Sequence, residues 1–475
     1  VTKIGTDEWV AQVGERTEAY RGLTAPVRRT WNGIPLGWRF AAAMLLVALL
    51  PVATDSSYVV RVGVNAFLFG LLALGLNVVV GYAGLLDLGY IAFYGFGAYT
   101  YALLSSDQIG VHLPAELTLI VVVALTAGLG YVLGLPSRRL LGDYLAIVTL
   151  FFGQVFVQLA IHLDRLSLPW ADGPVNVTGG PNGIVGIDPI RLVGVTFSSV
   201  TDYFYLLLVA FVALAVGLHR LTASRTGRAW RALREDPLAA EQMGLPVNRL
   251  KLLAFAVGGA VAGFAGAVFA AVQVGVFPQN FETLLLIMIY AAVILGGAGS
   301  LPGVAIGAAV IAVFPEVLRT PDYARLIFYG VVLGGLVALL RPWSRLAAVL
   351  AGTVVLGFVV RFATAAAWPD AAAVAPGGLV ARALGAWVAT PPNATTVGNV
   401  AFVLLVPAVL AVTRLRGPAR TWALPTVLYL AAFVWETRLV AEPSVTRQLV
   451  LGAILVVMMT ARPQGLLGTP RVEML

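Results

Sequence analysis

Long apolar runs separated by short polar stretches repeat along this chain from residue 40 almost to its end. They lie at Phe40–Val52, Val59–Leu104 with one interruption, Glu116–Leu135, Tyr144–Ile161, Tyr203–Leu218 and Leu252–Val274. The pattern continues through Leu284–Leu295, Val304–Val317, 325–340, Ala347–Val360, Val400–Val412, Trp422–Trp435 and 447–463. Many approach the ~20 apolar residues that carry a helix across a bilayer. The pattern predicts an all-α polytopic integral membrane protein with about 11–14 transmembrane or half-spanning helices.

The polar positions between the runs predict orientation. Arg28, Arg29 and Arg39 precede the first run, and Arg138 and Arg139 follow the third. Arg341 and Arg345, then Arg414, Arg416 and Arg420, then Arg462 mark later turns. If the spans simply alternate, all of these fall on one side, and short basic loops stay in the cytosol. Residues 1–38 therefore read as a cytosolic tail with a surface helix near Glu8–Tyr20; the long mixed-charge stretch is unlike a signal peptide. Asp164–Asp202, rich in Gly, Pro and Asn, and the Ala/Pro-rich Trp368–Asn399 read as outer loops.

The strongest charged segment is His219–Lys251, HRLTASRTGRAWRALREDPLAAEQMGLPVNRLK. Within it Ala229–Gly244 predicts a helix–turn–helix, with Asp236 as cap, Pro237 in the first helical position and Gly244 as the stop. A structured basic loop at a membrane surface suits a docking site for a cytosolic partner. An ordinary loop that only fixes topology fits the same composition.

Polar groups inside the apolar runs are few. Asn77, Asp87, Tyr90, Tyr94, Thr149, Gln154 and Gln158 are the side chains available to line a pathway. Asp87 lies among apolar residues, which makes it a functional candidate. The competing reading, favoured by the predicted orientation, is a solvated or helix-capping acid at a cytosolic turn. Asn77 reads as an interhelical hydrogen-bond partner, and Gln154 and Gln158 share one helix face as route or as polar glue. Gly70, Gly75, Gly81, Gly84, Gly89, Gly95 and Gly97 predict close helix packing or a broken helix in this region.

Composition narrows the chemistry. The 475 residues are 59% hydrophobic and 11% charged, with a mean hydropathy of +0.90. The net charge of +8 sits mostly in loops and points to orientation rather than nucleic acid. No cysteine is present, and His112, His162 and His219 have no metal-site spacing. Neither lysine, Lys3 or Lys251, follows a glycine, so there is no Walker A phosphate loop. No nucleophile–base arrangement is recognisable. The chain is expected not to be an enzyme and to bind no metal or cofactor itself.

Several long motifs carry a family resemblance. ALGLNVVVGYAGLLDLGYIAFYGFGAYTYALL (Ala73–Leu104), GDYLAIVTLFFGQV (Gly142–Val155) and GRAWRALREDPLAAEQMGLPVNRLKLLAFAVGGAVAGFAGAVFA (Gly227–Ala270) resemble the M-type membrane permeases of branched-chain amino acid ABC importers. So do VILGGAGSLPGVAIGA (Val293–Ala308) and the closing RPQGLLG (Arg462–Gly468). The resemblance implies a type II-like importer permease fold in the bacterial inner membrane. It implies a homologous permease as heterodimer partner, two cytosolic ATPase subunits that use the ATP, and an extracytoplasmic substrate-binding protein.

By the same resemblance His219–Lys251 is the ATPase-coupling loop, with Arg228, Arg231, Glu235, Asp236, Ala239, Ala240 and Gly244 as its candidate residues. ABC importers at large carry Glu-Ala-Ala with a glycine four residues on; here Leu238 stands for the glutamate. The domain reading is a tail (1–38), a permease core (39–340), inserted extra helices that the family lacks (341–445) and a final helix with a cytosolic tail (446–475). The expected cargo is leucine, isoleucine or valine, with urea or short amides as the alternative. An ATP-independent secondary transporter, the reading from another class, would need ionisable groups at mid-membrane, and the runs hold almost none.

Overall fold

In the computed structural model the glycine-rich helices between residues 57 and 317 form the centre of a helical assembly. The structure describes residues 36–138, 142–167, 174–340, 342–367, 387–388, 394–415, 417–439, 443–462 and 464–468. Residues 1–35 of the expected tail with its Glu8–Tyr20 helix, most of 368–399, and Arg28, Arg29, Arg139, Arg341 and Arg416 lie outside them, and the tail's last residues, 36–38, belong to the first helix.

The apolar runs become α1 (Leu36–Ala48), α2 (Ser57–Leu76), α3 (Tyr90–Leu104), α4 (Ala115–Gly134), α5 (Asp143–His162) and α6 (Val200–Ala223). The basic loop holds α7 (Arg225–Glu235) and α8 (Pro237–Gln242). Then follow α9 (Val247–Gln273), α10 (Thr283–Gly296), α11 (Leu301–Val317), α12 (Pro321–Leu339), α13 (Trp343–Ala367), α14 (Ala394–Arg414), α15 (Pro418–Val434) and α16 (Pro443–Ala461).

Among the described residues seven helices are long and apolar enough to cross a membrane, and the bent pair α11–α12, at 118°, makes up to eight. Shorter apolar helices at Gly37–Ala53 and Thr396–Val412 account for part of the higher number read from the sequence. Residues 77–82 continue α2 as a π-helical turn, and the chain breaks at 83–89 before α3, which resolves the expected interruption of the second run.

Helix α9 is the axis of the core and packs on α4, α3 and α2, while α11 and α6 pack on α2. Two apolar helices gain little by leaving lipid for each other, so close van der Waals approach has to hold them. Small residues permit it. A Cβ on Gly97 would fall on the backbone of Gly263, one on Gly130 on the Phe255 carbonyl, and one on Gly266 on the Tyr94 carbonyl. At one end of the helices the connections are tied by two-residue antiparallel strand pairs, Ser105–Ser106 with Val111–His112 and Ile184–Val185 with Gly275–Val276.

A second, smaller apolar cluster joins Leu318 and Ala324 of the α11–α12 region to Ala401, Val434 and Trp435. The last helix, α16, returns to pack on α10 and α11. The closing segment then bonds to the end of α10: the Leu466 and Leu467 N–H groups donate to the Leu295 and Gly296 carbonyls at 2.9 and 3.1 Å. The closing segment, separated from α12 in sequence by α13–α15, thus lies against the core in space.

Candidate functional site: the α7–α8 loop and the helix breaks above it

Helix α7 is amphipathic, with Gly227, Trp230 and Leu233 buried at a spacing of three. The Trp230 indole N–H donates to the Leu250 carbonyl at 2.9 Å, fastening α7 to the start of α9. Asp236 caps α8 as the sequence predicts, its Oδ1 accepting from the Leu238 and Ala239 N–H groups at 2.8 and 3.1 Å. Pro237 takes the first helical position, and Gly244, at φ +78°, ends the helix. Lys251 is buried, and its Nζ donates to the Ser137 carbonyl at 3.2 Å, where α4 has ended.

The arginines of this loop do not all face outward. Arg228 Nη1 donates to the Ala223 carbonyl at 3.0 Å and Arg231 Nη2 to the Thr222 carbonyl at 3.1 Å. These are carbonyls of the last turn of α6, which lack helical partners, so cations there satisfy both the bonds and the helix dipole. Ala240, only 4% exposed, packs inside the chain, whereas Ala239 is exposed. Glu235, Leu238 and Met243 are also exposed, Leu238 at 73% and Met243 at 84%. The loop is a preformed unit with apolar side chains directed away from its own core.

Above it lies the 83–89 break. Asp87 is 1% exposed, so it is not the solvated acid of the favoured sequence reading. The capping half of that reading holds: its Oδ1 accepts from the Gly89 N–H at 3.0 Å, at the start of α3. The break is buried because other helices supply partners for its backbone. Tyr290 OH of α10 donates to the Asp87 carbonyl at 2.6 Å, and the Leu88 N–H donates to Thr149 Oγ1 of α5 at 2.9 Å. Asn77 is an interhelical partner, as read: its Oδ1 accepts from the Gly299 N–H at 2.8 Å.

Tyr90 and Tyr94 are buried, the latter against the Phe269 and Phe281 rings. Gln154 and Gln158 instead lie on the exposed, largely apolar face of α5, and Gln154 Nε2 donates to Thr283 Oγ1 of α10 at 2.6 Å. The seven polar candidates are thus divided between a buried joint (Asn77, Asp87, Tyr90, Thr149), an aromatic core position (Tyr94) and an outward face (Gln154, Gln158).

Sequence reasoning missed Arg234, whose Nη1 donates to the Gly81 carbonyl and reaches the Ala298 carbonyl at 3.5 Å. Its three-residue offset from Arg231 gave no sign that it turns toward the spans. At the opposite end of the helices, a cavity of about 440 Å³ is lined by Tyr101, His112, Glu116, Asp188 and Arg191 among others. There His112 Nδ1 lies 2.5 Å from Asp188 Oδ2 and its Nε2 3.0 Å from Asp107 Oδ1. These partners raise the imidazole pKa above its ordinary value, the Asp188 bond most, then the Asp107 bond.

Broken, glycine-packed apolar helices with a preformed basic loop at one end define a multi-pass helical membrane protein. The comparison with known families gives the particular one: residues 58–340 match the family described as "Branched-chain amino acid transport system / permease component", and the chain belongs to it. The match ends at residue 340, before α13.

Relatives include the high-affinity branched-chain amino acid transport system permease protein LivM of Salmonella typhimurium, 38% identical over 328 residues, 64% of this chain and 73% of the relative. LivM of Escherichia coli is 37% identical over 328 residues with the same coverages. The permease protein BraD of Pseudomonas aeruginosa is 26% identical over 287 residues, 58% of this chain and 90% of the relative. No solved structure matches significantly.

Proposed function

We propose that this chain is one permease subunit of an ATP-driven importer of leucine, isoleucine and valine, with the α7–α8 loop as its ATPase-docking element. The observation that carries the reading is the loop's construction. It is immobilised from within by Trp230, Arg228, Arg231 and Lys251, yet presents Leu238, Ala239 and Met243 outward. Apolar side chains held rigidly at a polar surface are the anchors of a protein interface.

The remaining parts follow from this reading. A homologous permease completes the pathway, two cytosolic ATPases bind the loops, and a binding protein delivers cargo at the His112 end. ATP binding draws the ATPases together, the loops move with them, and access to the pathway switches sides. In this orientation the arginine-rich turns and the N-terminus are cytosolic, which agrees with the distribution of positive charge. The cargo assignment is supported by the names of the relatives, all three of which describe branched-chain amino acid transport.

Uptake of labelled leucine, isoleucine, valine and urea in cells with and without this subunit tests the reading. Loss of branched-chain amino acid uptake alone supports it. Loss of urea uptake instead moves the cargo to small amides, and unchanged uptake of every compound refutes import by this chain.

A further inference from the structure

Two connections between core helices, the 83–89 break and the α10–α11 turn, converge on a single side chain of the loop. Arg234 Nη1 bonds to the Gly81 carbonyl, just before the 83–89 break between α2 and α3, and to Ala298 in the turn between α10 and α11. Two glycines shape its cradle. A Cβ on Gly84 would lie 2.8 Å from Arg234 Cγ, and one on Gly299 would lie 2.7 Å from Nη1. Both have positive φ, +70° and +91°, a backbone conformation that other residues rarely adopt.

The two turns are also bound to each other and to the spans. Asn77 Oδ1 accepts from the Gly299 N–H, linking the π-helical end of α2 to the α10–α11 turn. From Gly84 the chain runs to Asp87 and Leu88, which are fastened to α10 through Tyr290 and to α5 through Thr149. The closing segment braces the other turn, since a Cβ on Gly297 would meet the Gln464 carbonyl and the Gly468 nitrogen at 2.6 Å each. A displacement of α7 therefore pulls on the ends of α2, α3, α10 and α11 together.

We infer that Arg234 is the positioning residue through which the docked loop moves the permease helices. The inference rests on the ATPase-docking reading above. Arg228 and Arg231 are turned back to α6 and act within the loop, whereas Arg234 leaves it. A guanidinium suits the task because Nη1 alone carries two N–H donors, one for each carbonyl, on a planar and permanently charged head.

The test uses the complete importer, with ATPases, second permease and binding protein, in proteoliposomes, comparing the native chain with Arg234→Met and Arg234→Lys. ATPase co-purification, ATP hydrolysis with and without cargo-loaded binding protein, and uptake are measured. We expect both variants to retain the ATPases and basal hydrolysis. Stimulation by loaded binding protein and uptake should fall about tenfold or more in Arg234→Met, the scale of losing a charged hydrogen bond, and less in Arg234→Lys.

A second readout does not depend on transport. This chain lacks cysteine, so Leu86→Cys, at an exposed position of the break, takes a single fluorophore when the partner subunits are also cysteine-free. ATP should change its signal in the native background, less with Arg234→Lys and not with Arg234→Met. Native stimulation and an unchanged ATP-dependent signal in Arg234→Met overturn the inference. So does loss of the ATPases from both variants, which makes Arg234 a docking or folding residue. Absence of an ATPase from the native preparation refutes the importer reading itself, and is recognised before any substitution is made.

Discussion

Arg325 and Glu436, 111 residues apart, form an ion pair with Arg325 Nε 2.9 Å from Glu436 Oε2 and side chains only 12% and 6% exposed. Tyr329 OH donates to the other carboxylate oxygen at 3.3 Å, and Phe328 stacks on Trp435 with ring centroids 4.3 Å apart. Arg325 lies in α12, the last helix within the family match, and Glu436 follows α15 in the extra segment. The helices beyond the family match are fastened to those within it by a buried charge pair.

Breaking that pair should therefore loosen the attachment. Glu436→Ala leaves a buried guanidinium without its main counter-charge, and loss of one partner in such a pair costs about 3–5 kcal/mol. Thermal unfolding in mild detergent should show a clear drop. The double replacement Arg325→Met with Glu436→Leu should recover most of it, because well-packed apolar groups often replace a buried ion pair without loss. A single variant as stable as the native chain would show that the pair does not hold the segment.

Glycine packing gives a comparison at constant chemistry. Gly97→Ala places a methyl on the Gly263 backbone, which cannot turn aside, whereas Gly128→Ala meets nothing within 4 Å. Overpacking costs typically 1–3 kcal/mol, so about 3 kcal/mol is expected at Gly97. At Gly128 the gain in helix propensity, up to about 1 kcal/mol, should dominate. Melting temperatures of the two variants should move in opposite directions.

The His112 site predicts a pH dependence. The flanking Asp188 and Asp107 favour the imidazolium and raise its folded-state pKa above the ordinary 6.5. Glu116 and Arg191 line the same cavity. For a raised pKa the stabilisation is complete below the unfolded value and is lost as pH rises through the folded one. The difference in melting temperature between the native chain and His112→Asn should be largest below pH 6.5 and shrink as pH increases beyond it. A difference that grows with pH contradicts this arrangement.

The helices were legible in the sequence because membrane spans are long and uniformly apolar. The α8 cap was legible because Asp236, Pro237 and Gly244 act locally. What the sequence did not reveal depends on partners far along the chain. The burial of Asp87 requires Tyr290 and Thr149, and the reach of Arg234 requires the positive-φ turns at Gly84 and Gly299. Likewise, identical residue types separate by position: Arg228 and Arg231 cap α6, whereas Arg234 crosses to the core. The return of the closing segment to α10 across the extra helices is a tertiary relationship that no local pattern encodes.

The loop's outward face is the most direct test of the central claim. Because Ala240 is internal, a bulky charge there would disturb the loop's own packing as well as any contact. Leu238 and Met243 are the cleaner probes. Membranes carrying the native chain or Leu238→Asp with Met243→Asp are solubilised in mild detergent, and the proteins that accompany the chain are identified. The account predicts that an ATPase and a second permease accompany the native chain, and that the double variant keeps the permease, keeps its melting temperature and loses the ATPase. An ATPase retained undiminished by the double variant, or absent from the native preparation, would contradict it.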